Sequence, residues 1–393
     1  MNYNKKLQLI KKIFIQKKIE NKKFSYPLLT DGYSSSDLQE ASKVLLNGRL
    51  TMSNITKKFE KHFAKKIGSK YALMVNSGSS ANLLALFCLI NPYKKNKLKK
   101  GDECIVPSLC WSTSLWPIIQ AGLSPVFADV NLETFTLDLE NIKKNFNSNT
   151  GAVCVVHIGG IITDEMEKIK NFCDEKNIYL IEDAAHAHGS TFNGKYSGEF
   201  GIGAAYSFFS TKTFTSGEGG MVLTNNEDIS KKCFSIRDYG KKSQWESVHN
   251  IFSGNFRMSN LTAVIGNNHI SEIDNFLNKR EKIAKMYTDN LSDKYEKILP
   301  KNGKSGWYKY IVYLPKKVNR KDFKDICKNQ GLGLSGGVYD KPIHLQPVFD
   351  GSFKHGDFPI AEEVCERHIC LPIYPSLTEE EVNQTIEILN KSI

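Results

Sequence analysis

Short apolar runs recur along the first two thirds of the chain. They fall at Leu73–Val75, Cys104–Pro107, Pro125–Asp129, Ala152–His157, Ile178–Glu182, Ala204–Phe209 and Met221–Leu223. Runs of this length, bounded by small or polar residues, predict strands. The segments from Trp111 to Pro125 and from Met166 to Lys176 fit crossover helices between them. Leu73 to Asn82 reads as a strand, a turn of small residues and the start of a buried helix that continues through the apolar stretch to Ile90. The alternation predicts an α/β fold with a mostly parallel, doubly wound sheet, whose ligands gather at the carboxyl ends of the strands. Trp111, Asp183 and the turn Ser77–Ser80 all fall at such ends.

Elsewhere the pattern is helical. From Lys5 to Lys23, Leu7, Ile10, Ile13 and Phe14 follow helical spacing among lysines, which predicts a solvated N-terminal arm. Ser36-Asp-Leu-Gln39 reads as a capping box for a helix through Leu38, Ala41 and Leu45, and Gly48 ends it. A long helix is expected from about Ser259 to Leu291, with a hinge near Ile273. A strand at Lys309–Leu314, a helix at Arg320–Gln330, a return segment at Val364–Pro372 and a helix opening at Leu377-Thr-Glu-Glu-Glu follow. The division expected is a basic arm over 1–24, a large domain over 25–275 and a small domain over 276–393.

Composition narrows the class. The 393 residues are 40% hydrophobic, enough for one large core and a smaller one. The net charge of +11 reads mainly as solvated lysine faces, and it also suits an anionic substrate. No nucleic-acid module is visible, and no apolar run approaches the ~20 residues of a membrane helix. The nine cysteines are scattered, with no C-x-x-C pair and no zinc spacing, as expected of reduced core thiols in a cytoplasm. His186 and His188 form an H-x-H with no further ligand nearby, so no metal is expected.

One lysine stands apart. Lys212 follows the apolar run Ala204–Phe209 and precedes Gly217, Gly219, Gly220 and the run Met221–Leu223. Burying an unpaired ammonium is costly, so a lysine held between buried strands usually has a job. Its pKa is driven down and it can form a Schiff base. Glu182 and Asp183 close the strand before it, where a carboxylate can face a cationic ring nitrogen. Pyridoxal phosphate needs such a lysine, a partner for its ring nitrogen and a phosphate cradle. A small-residue turn at a helix N-terminus, such as Ser77 to Ser80, can supply the cradle, although alone it reads better as an ordinary tight turn.

The segments E-D-A-A-H-A-H-G (Glu182–Gly189), Y-S-F-F-S-T-K-T-F-T-S-G-E-G-G-M-V (Tyr206–Val222) and G-N-F-R-M (Gly254–Met258) resemble the DegT/StrS-type sugar aminotransferases, in particular the perosamine-synthase-like branch. The resemblance runs roughly from Leu28 to the C-terminus. It implies a fold-type-I enzyme with a smaller C-terminal α+β domain. It implies pyridoxal 5'-phosphate on Lys212, with pyridoxamine 5'-phosphate as the alternate form, and Asp183 at the ring nitrogen. By the same likeness, the amides of Ser79 and Ser80 and the hydroxyl of Ser207 hold the phosphate. Trp111 stacks on the ring, and His186 lies near the ring hydroxyl. Asn255 reaches across a homodimer interface to the neighbour's phosphate. Lys341 and His344 are candidate substrate contacts.

The implied reaction carries an amino group from glutamate to a keto sugar attached to a nucleotide, in surface polysaccharide or deoxyamino-sugar biosynthesis. Three alternatives stay open. The loop His157-Ile-Gly-Gly-Ile-Ile-Thr-Asp164 departs from the family pattern and leaves room for a small phosphorylated ketone. Trp111-Ser-Thr and the lysine-rich stretch Asn91–Lys100 look similar to sugar 3-dehydratases of the same family. Those enzymes carry histidine where Lys212 stands, which argues against dehydration here. A binding-only relative is the third alternative, and the intact Lys212, Asp183 and Ser207 argue against it.

Overall fold

Strands whose side chains are apolar on both faces need cover on both faces. The computed structural model provides it. The structure describes residues 32–90, 97–243, 245–334 and 337–393, with Lys5 and Gln8. The rest of the expected N-terminal helix and residues 91–96 of the lysine-rich stretch lie outside the described residues.

In chain order the strands are β1 (Tyr71–Val75), β2 (Glu103–Pro107), β3 (Ser124–Ala128), β4 (Thr150–Val156), β5 (Tyr179–Asp183), β6 (Thr191–Phe192), β7 (Lys195–Tyr196), β8 (Gly203–Ser207), β9 (Gly220–Thr224), β10 (Glu296–Lys297), β11 (Gly303–Lys304), β12 (Tyr310–Tyr313) and β13 (His368–Leu371). Seven of them form the central sheet in the order β1-β9-β8-β5-β4-β2-β3. The pairs β2–β3, β2–β4, β4–β5 and β5–β8 are parallel, whereas β9 runs antiparallel to both β8 and β1. Alternate residues of β4 serve opposite cores. Cys154 and Val156 pack with Leu84, Leu115 and Ile118 from the helices Gly78–Phe87 and Ser112–Gln120. Val153 and Val155 pack with Met166 and Ile169 from the helix Met166–Glu175. The sheet is therefore doubly wound and mainly parallel, as the alternation predicts.

A second core lies in the last third of the chain. β10, β12 and β13 form an antiparallel sheet. Val312, Ile369 and Leu371 pack there with Phe323 of the helix Arg320–Asn329 and Leu389 of the helix Glu379–Lys391. β6, β7 and β11 make a small separate sheet.

Two helical expectations need correction. The first helix spans Ser35–Asn47, and its capping box is Ser34 with Asp37 rather than the pair starting at Ser36. Asp37 settles the register because Asn268 and His269 bind its carboxylate from 231 and 232 residues away. Gly48 does end the helix, at φ 72°. The long helix, Asn260–Asn290, is continuous and has no hinge at Ile273. Neither glycine nor proline stands near that position to interrupt it. Ala263, Ile270 and Ile273 join the core under β8 and β9, while Ile283, Ala284 and Tyr287 join the second core. One unbroken helix thus runs through both, and the expected division at residue 275 falls inside it.

Candidate functional site

Parallel strands leave their carboxyl ends open toward one side. Here a cavity of about 470 Å³ lies at those ends. Val156 ends β4, Asp183 ends β5 and Ser207 ends β8, and all three line it. Gly78 and Ser79 enter from the helix start after β1, and Trp111 and Ser114 from the segment after β2. Tyr308 and Lys309, just before β12, and Tyr339 complete the lining. A larger groove of about 950 Å³ lies on the β1 side, lined by Lys61, Lys65, Lys70 and Lys231, and it holds none of the predicted residues.

Asp183 forms the floor. Its Oδ2 accepts from Asn82 Nδ2 at 2.7 Å and from Ser114 Oγ at 2.7 Å, and its Oδ1 accepts from the Ala185 N–H at 3.0 Å. Three donors from three segments fix the orientation of this carboxylate. Its neighbour Glu182 points to the opposite face, as strand geometry requires. There it accepts the N–H groups of Gly198, Phe200 and Gly201 at 2.7, 2.9 and 2.6 Å, and His157 Nε2 lies 3.0 Å away. Of the two adjacent acids, only Asp183 reaches the cavity.

Lys212 sits on the connection between β8 and β9 and lines the same cavity. Its Nζ stands 4.6 Å from the centre of the Tyr308 ring. Burial pulls its pKa down to about 8; the Asp183 charge opposes that shift and the Lys309 charge adds to it.

The His186 ring lies against the same Tyr308 ring, tilted by 30° with 4.3 Å between the ring centres. Burial, and then the charges of Lys212 and Lys309, hold its pKa well below the ordinary histidine range. The Gly159 N–H donates to its Nδ1 at 3.3 Å. A neutral imidazole that accepts at Nδ1 carries its proton on Nε2, so His186 offers a donor. His188 instead lies among the rings of Tyr206, Phe208 and Phe214.

The far end of the cavity is built from close backbone approach. Ser77 caps the helix Gly78–Phe87 by accepting the Ser80 N–H at 3.1 Å. The first-turn N–H groups of Gly78 and Ser79 have no acceptor within their own helix. A Cβ on Gly78 would lie 2.6 Å from Ser207 Cβ, and one on Gly220 would lie 2.2 Å from the Ser77 carbonyl oxygen. Both positions must be glycine for the helix start to sit against the ends of β8 and β9. This brings the Ser79 amide and the Ser207 hydroxyl to the same end of the cavity.

Lys212, Asp183, Ser79, Ser207, His186 and Trp111 are therefore brought together. Trp111 is 59% exposed and lies 21° from parallel with the Tyr339 ring. The other predicted residues are placed differently. Ser80 is not on the lining, and its N–H is spent on the cap. Asn255 is exposed and outside the cavity. Lys341 is exposed and also outside it. His344 is buried, with its Nε2 3.1 Å from Glu362 Oε1 and its ring against Phe358. The structure thus does not bring Lys341 and His344 to the cavity. Asn82, Ser114, Tyr308 and Lys309 line it without having been predicted. Lys309 carried a signal, being a lone charged residue in an apolar stretch. No group of three or more metal-ligating side chains occurs among the described residues.

This donor set fits pyridoxal phosphate. A lysine with a lowered pKa, a carboxylate fixed by three donors at a strand end, and a helix N-terminus beside a serine hydroxyl share one cavity.

Comparison with known proteins gives the same direction. The model of the DegT/DnrJ/EryC1/StrS aminotransferase family matches residues 33–390. A GDP-perosamine synthase of Escherichia coli O157:H7 is 32% identical, over 86% of this chain and 90% of that protein. Among solved structures, an aminotransferase from Psychrobacter cryohalolentis has a TM-score of 0.82 and 27% identity, covering 91% of this chain and 96% of the other. The E. coli GDP-4-keto-6-deoxy-D-mannose-3-dehydratase with bound hydrated PLP has a TM-score of 0.84 and 27% identity, covering 94% and 100%.

Proposed function

The chain belongs to the DegT/DnrJ/EryC1/StrS aminotransferase family, and from that premise we propose that it moves the amino group of glutamate onto a keto sugar attached to a nucleotide. It is a pyridoxal phosphate-dependent aminotransferase. The observation that carries the reading is the meeting of Lys212 and Asp183 in one cavity with the helix start at Gly78. The likeness to a GDP-perosamine synthase over most of both chains supports the nucleotide-sugar substrate. Lys212 favours amination over dehydration, because a lysine amine at the reaction centre can move protons on and off carbon.

Pyridoxal phosphate, when bound, supplies a carbonyl carbon that carries the amino group and an electron-poor ring that accepts the electron pair of a breaking bond. The chain's residues then have separate tasks. Asp183, oriented by Asn82, Ser114 and Ala185, presents its carboxylate to the ring nitrogen. The Gly78 and Ser79 amides and the Ser207 hydroxyl would hold the phosphate, with Ser80 serving the cap instead. His186 would donate from Nε2 to the ring hydroxyl. Trp111 would cover one face of the ring and exclude water from it. Lys212 Nζ takes the proton from the donor's α-carbon and returns one to the carbon that becomes the amine-bearing centre. Holding base and carbon together in this way contributes up to ~7–11 kcal/mol when alignment is ideal.

We read the enzyme as a cytoplasmic homodimer. Asn255 is exposed, and the segment before it carries Trp245, 87% exposed, and Phe252, 61% exposed, apolar area that a second copy would cover. In that arrangement Asn255 would reach the partner's phosphate. The nine cysteines all stand as thiols, which supports a reducing compartment. No helix among the described residues is long and apolar enough to cross a membrane.

The test of the substrate is label transfer. Glutamate carrying isotope-labelled nitrogen is supplied with a panel of nucleotide-linked 3- and 4-keto sugars and small phosphorylated ketones. The label is expected in an amino sugar nucleotide. Label appearing only in a small phosphorylated amine would overturn the sugar-nucleotide reading.

A further inference from the structure

Lys309 is a second lysine in the cavity, and the mechanism above does not use it. Its residue is 8% exposed, and its side chain lines the cavity beside Lys212 and His186. Among the described residues it makes no ion pair and no side-chain hydrogen bond. Its Nζ rests 5.1 Å from the centre of the Tyr308 ring, the same ring that Lys212 approaches to 4.6 Å. Its backbone is anchored through its N–H to the Gly159 carbonyl. Burial draws its pKa below the ordinary lysine range.

A cation kept from water without an anion is costly, and a face-on tyrosine recovers only part of that cost. Among the described residues no carboxylate is placed to complete it. Two acids line the cavity. Asp183 is held by its three donors, and Glu218 is exposed on the loop before β9. The missing anion must therefore come with a bound ligand.

We propose that Lys309 binds the α-carboxylate of the amino donor. This rests on the aminotransferase reading and deepens it. The donor's α-carboxylate is attached to the carbon whose proton Lys212 moves, so a cation for it must stand beside Lys212. Lys309 does, since both ammonium groups lie within about 5 Å of the centre of the Tyr308 ring. The charge of a keto-sugar nucleotide lies on its diphosphate, separated from the reacting carbonyl by the sugar ring. A cation at the reaction centre therefore matches the amino acid better than the sugar nucleotide. In the second half of the reaction the sugar's hydroxyl groups would take the donor's place before the same ammonium.

The test uses the cofactor-loaded protein and the variants Lys309→Met and Lys309→Arg. Binding of glutarate, a dicarboxylate with no amino group to react, and of GDP is measured by calorimetry. Lys309→Met is expected to weaken glutarate about tenfold or more and to leave GDP unchanged, whereas Lys309→Arg stays within a few-fold of wild type. In the reaction with glutamate alone, Lys309→Met should raise the glutamate needed for half-saturation while keeping the rate at saturation within a few-fold. Unchanged glutarate affinity in Lys309→Met overturns the proposal, and so does a loss confined to GDP. Loss of bound cofactor in that variant would place Lys309 on the cofactor and overturn it too. Wild-type protein that releases 2-oxoglutarate from glutamate keeps the aminotransferase reading whatever Lys309 does. The two can therefore fail separately.

Discussion

Substituting Gly220 tests the phosphate cradle without touching a side chain that meets the cofactor. In Gly220→Ala the new methyl would lie 2.2 Å from the Ser77 carbonyl oxygen and 2.8 Å from the Gly78 nitrogen, where real Cβ atoms stay beyond 3.0 Å. Both obstacles are backbone, so the helix start must retreat by about 1 Å in a packed interior. A hydrogen bond of about 2.9 Å from the Gly78 or Ser79 amide would stretch to about 3.9 Å, outside bonding range. Each bond from an amide to an anion is worth about 1.5–3 kcal/mol, so losing two costs about 3 kcal/mol or more. Affinity for pyridoxal phosphate should then fall at least about a hundredfold. Overpacking of this kind also costs the fold about 1–3 kcal/mol. The assay is a fluorescence titration of cofactor-free protein with pyridoxal phosphate, run beside a thermal unfolding scan. Gly203→Ala is the control, because its Cβ would meet nothing nearer than 3.7 Å. That variant should keep the wild-type affinity. A folded Gly220→Ala protein that binds the cofactor as tightly as wild type would refute the reasoning.

Three further outcomes follow from the same contacts. Lys212→Ala should lose steady turnover by at least about a hundredfold, since the proton carrier is gone; undiminished turnover would remove Lys212 from the mechanism. In cofactor-free protein, labelling of Lys212 by an amine-selective reagent should titrate near pH 8 rather than near 10.5. Between those two values the unfolded chain binds the proton and the folded one does not, so this group makes the cofactor-free fold more stable as pH rises through that window. A labelling midpoint near 10.5 would contradict the burial argument. Glu182→Ala should lower stability by about 3 kcal/mol or more, because it orphans the N–H groups of Gly198, Phe200 and Gly201, while the spectrum of bound cofactor stays unchanged. A thermal scan that shows wild-type stability would contradict it.

The strands of the central sheet were legible because most of their residues are buried on both faces, which leaves apolar runs that need no partner to be recognised. Lys212 was legible for the opposite reason, as one charge among such runs. Asn82 and Ser114 were harder to see. They act through Asp183, which lies 101 and 69 residues away, and small polar residues near helix starts usually serve as caps. Lys309 carried the same signal as Lys212, a lysine inside the apolar stretch Trp307-Tyr-Lys-Tyr-Ile-Val, but only the fold places it in the cavity. His344 misled because a histidine near the expected substrate side has no local mark of its partner, Glu362, which lies 18 residues on. The capping register at Ser34 was ambiguous among three consecutive serines until Asn268 and His269 of the long helix bound Asp37. The hinge near Ile273 failed because the helix keeps one buried stripe and simply changes which core it meets.

The central claim is a glutamate-dependent amino transfer through Lys212, and the half-reaction tests it most directly. Cofactor-loaded protein is mixed with excess glutamate and no ketone, and the visible spectrum is followed while 2-oxoglutarate is assayed. The account predicts loss of the lysine-bound cofactor's visible band and one equivalent of 2-oxoglutarate per site. An unchanged spectrum with no 2-oxoglutarate from fully loaded protein would contradict it.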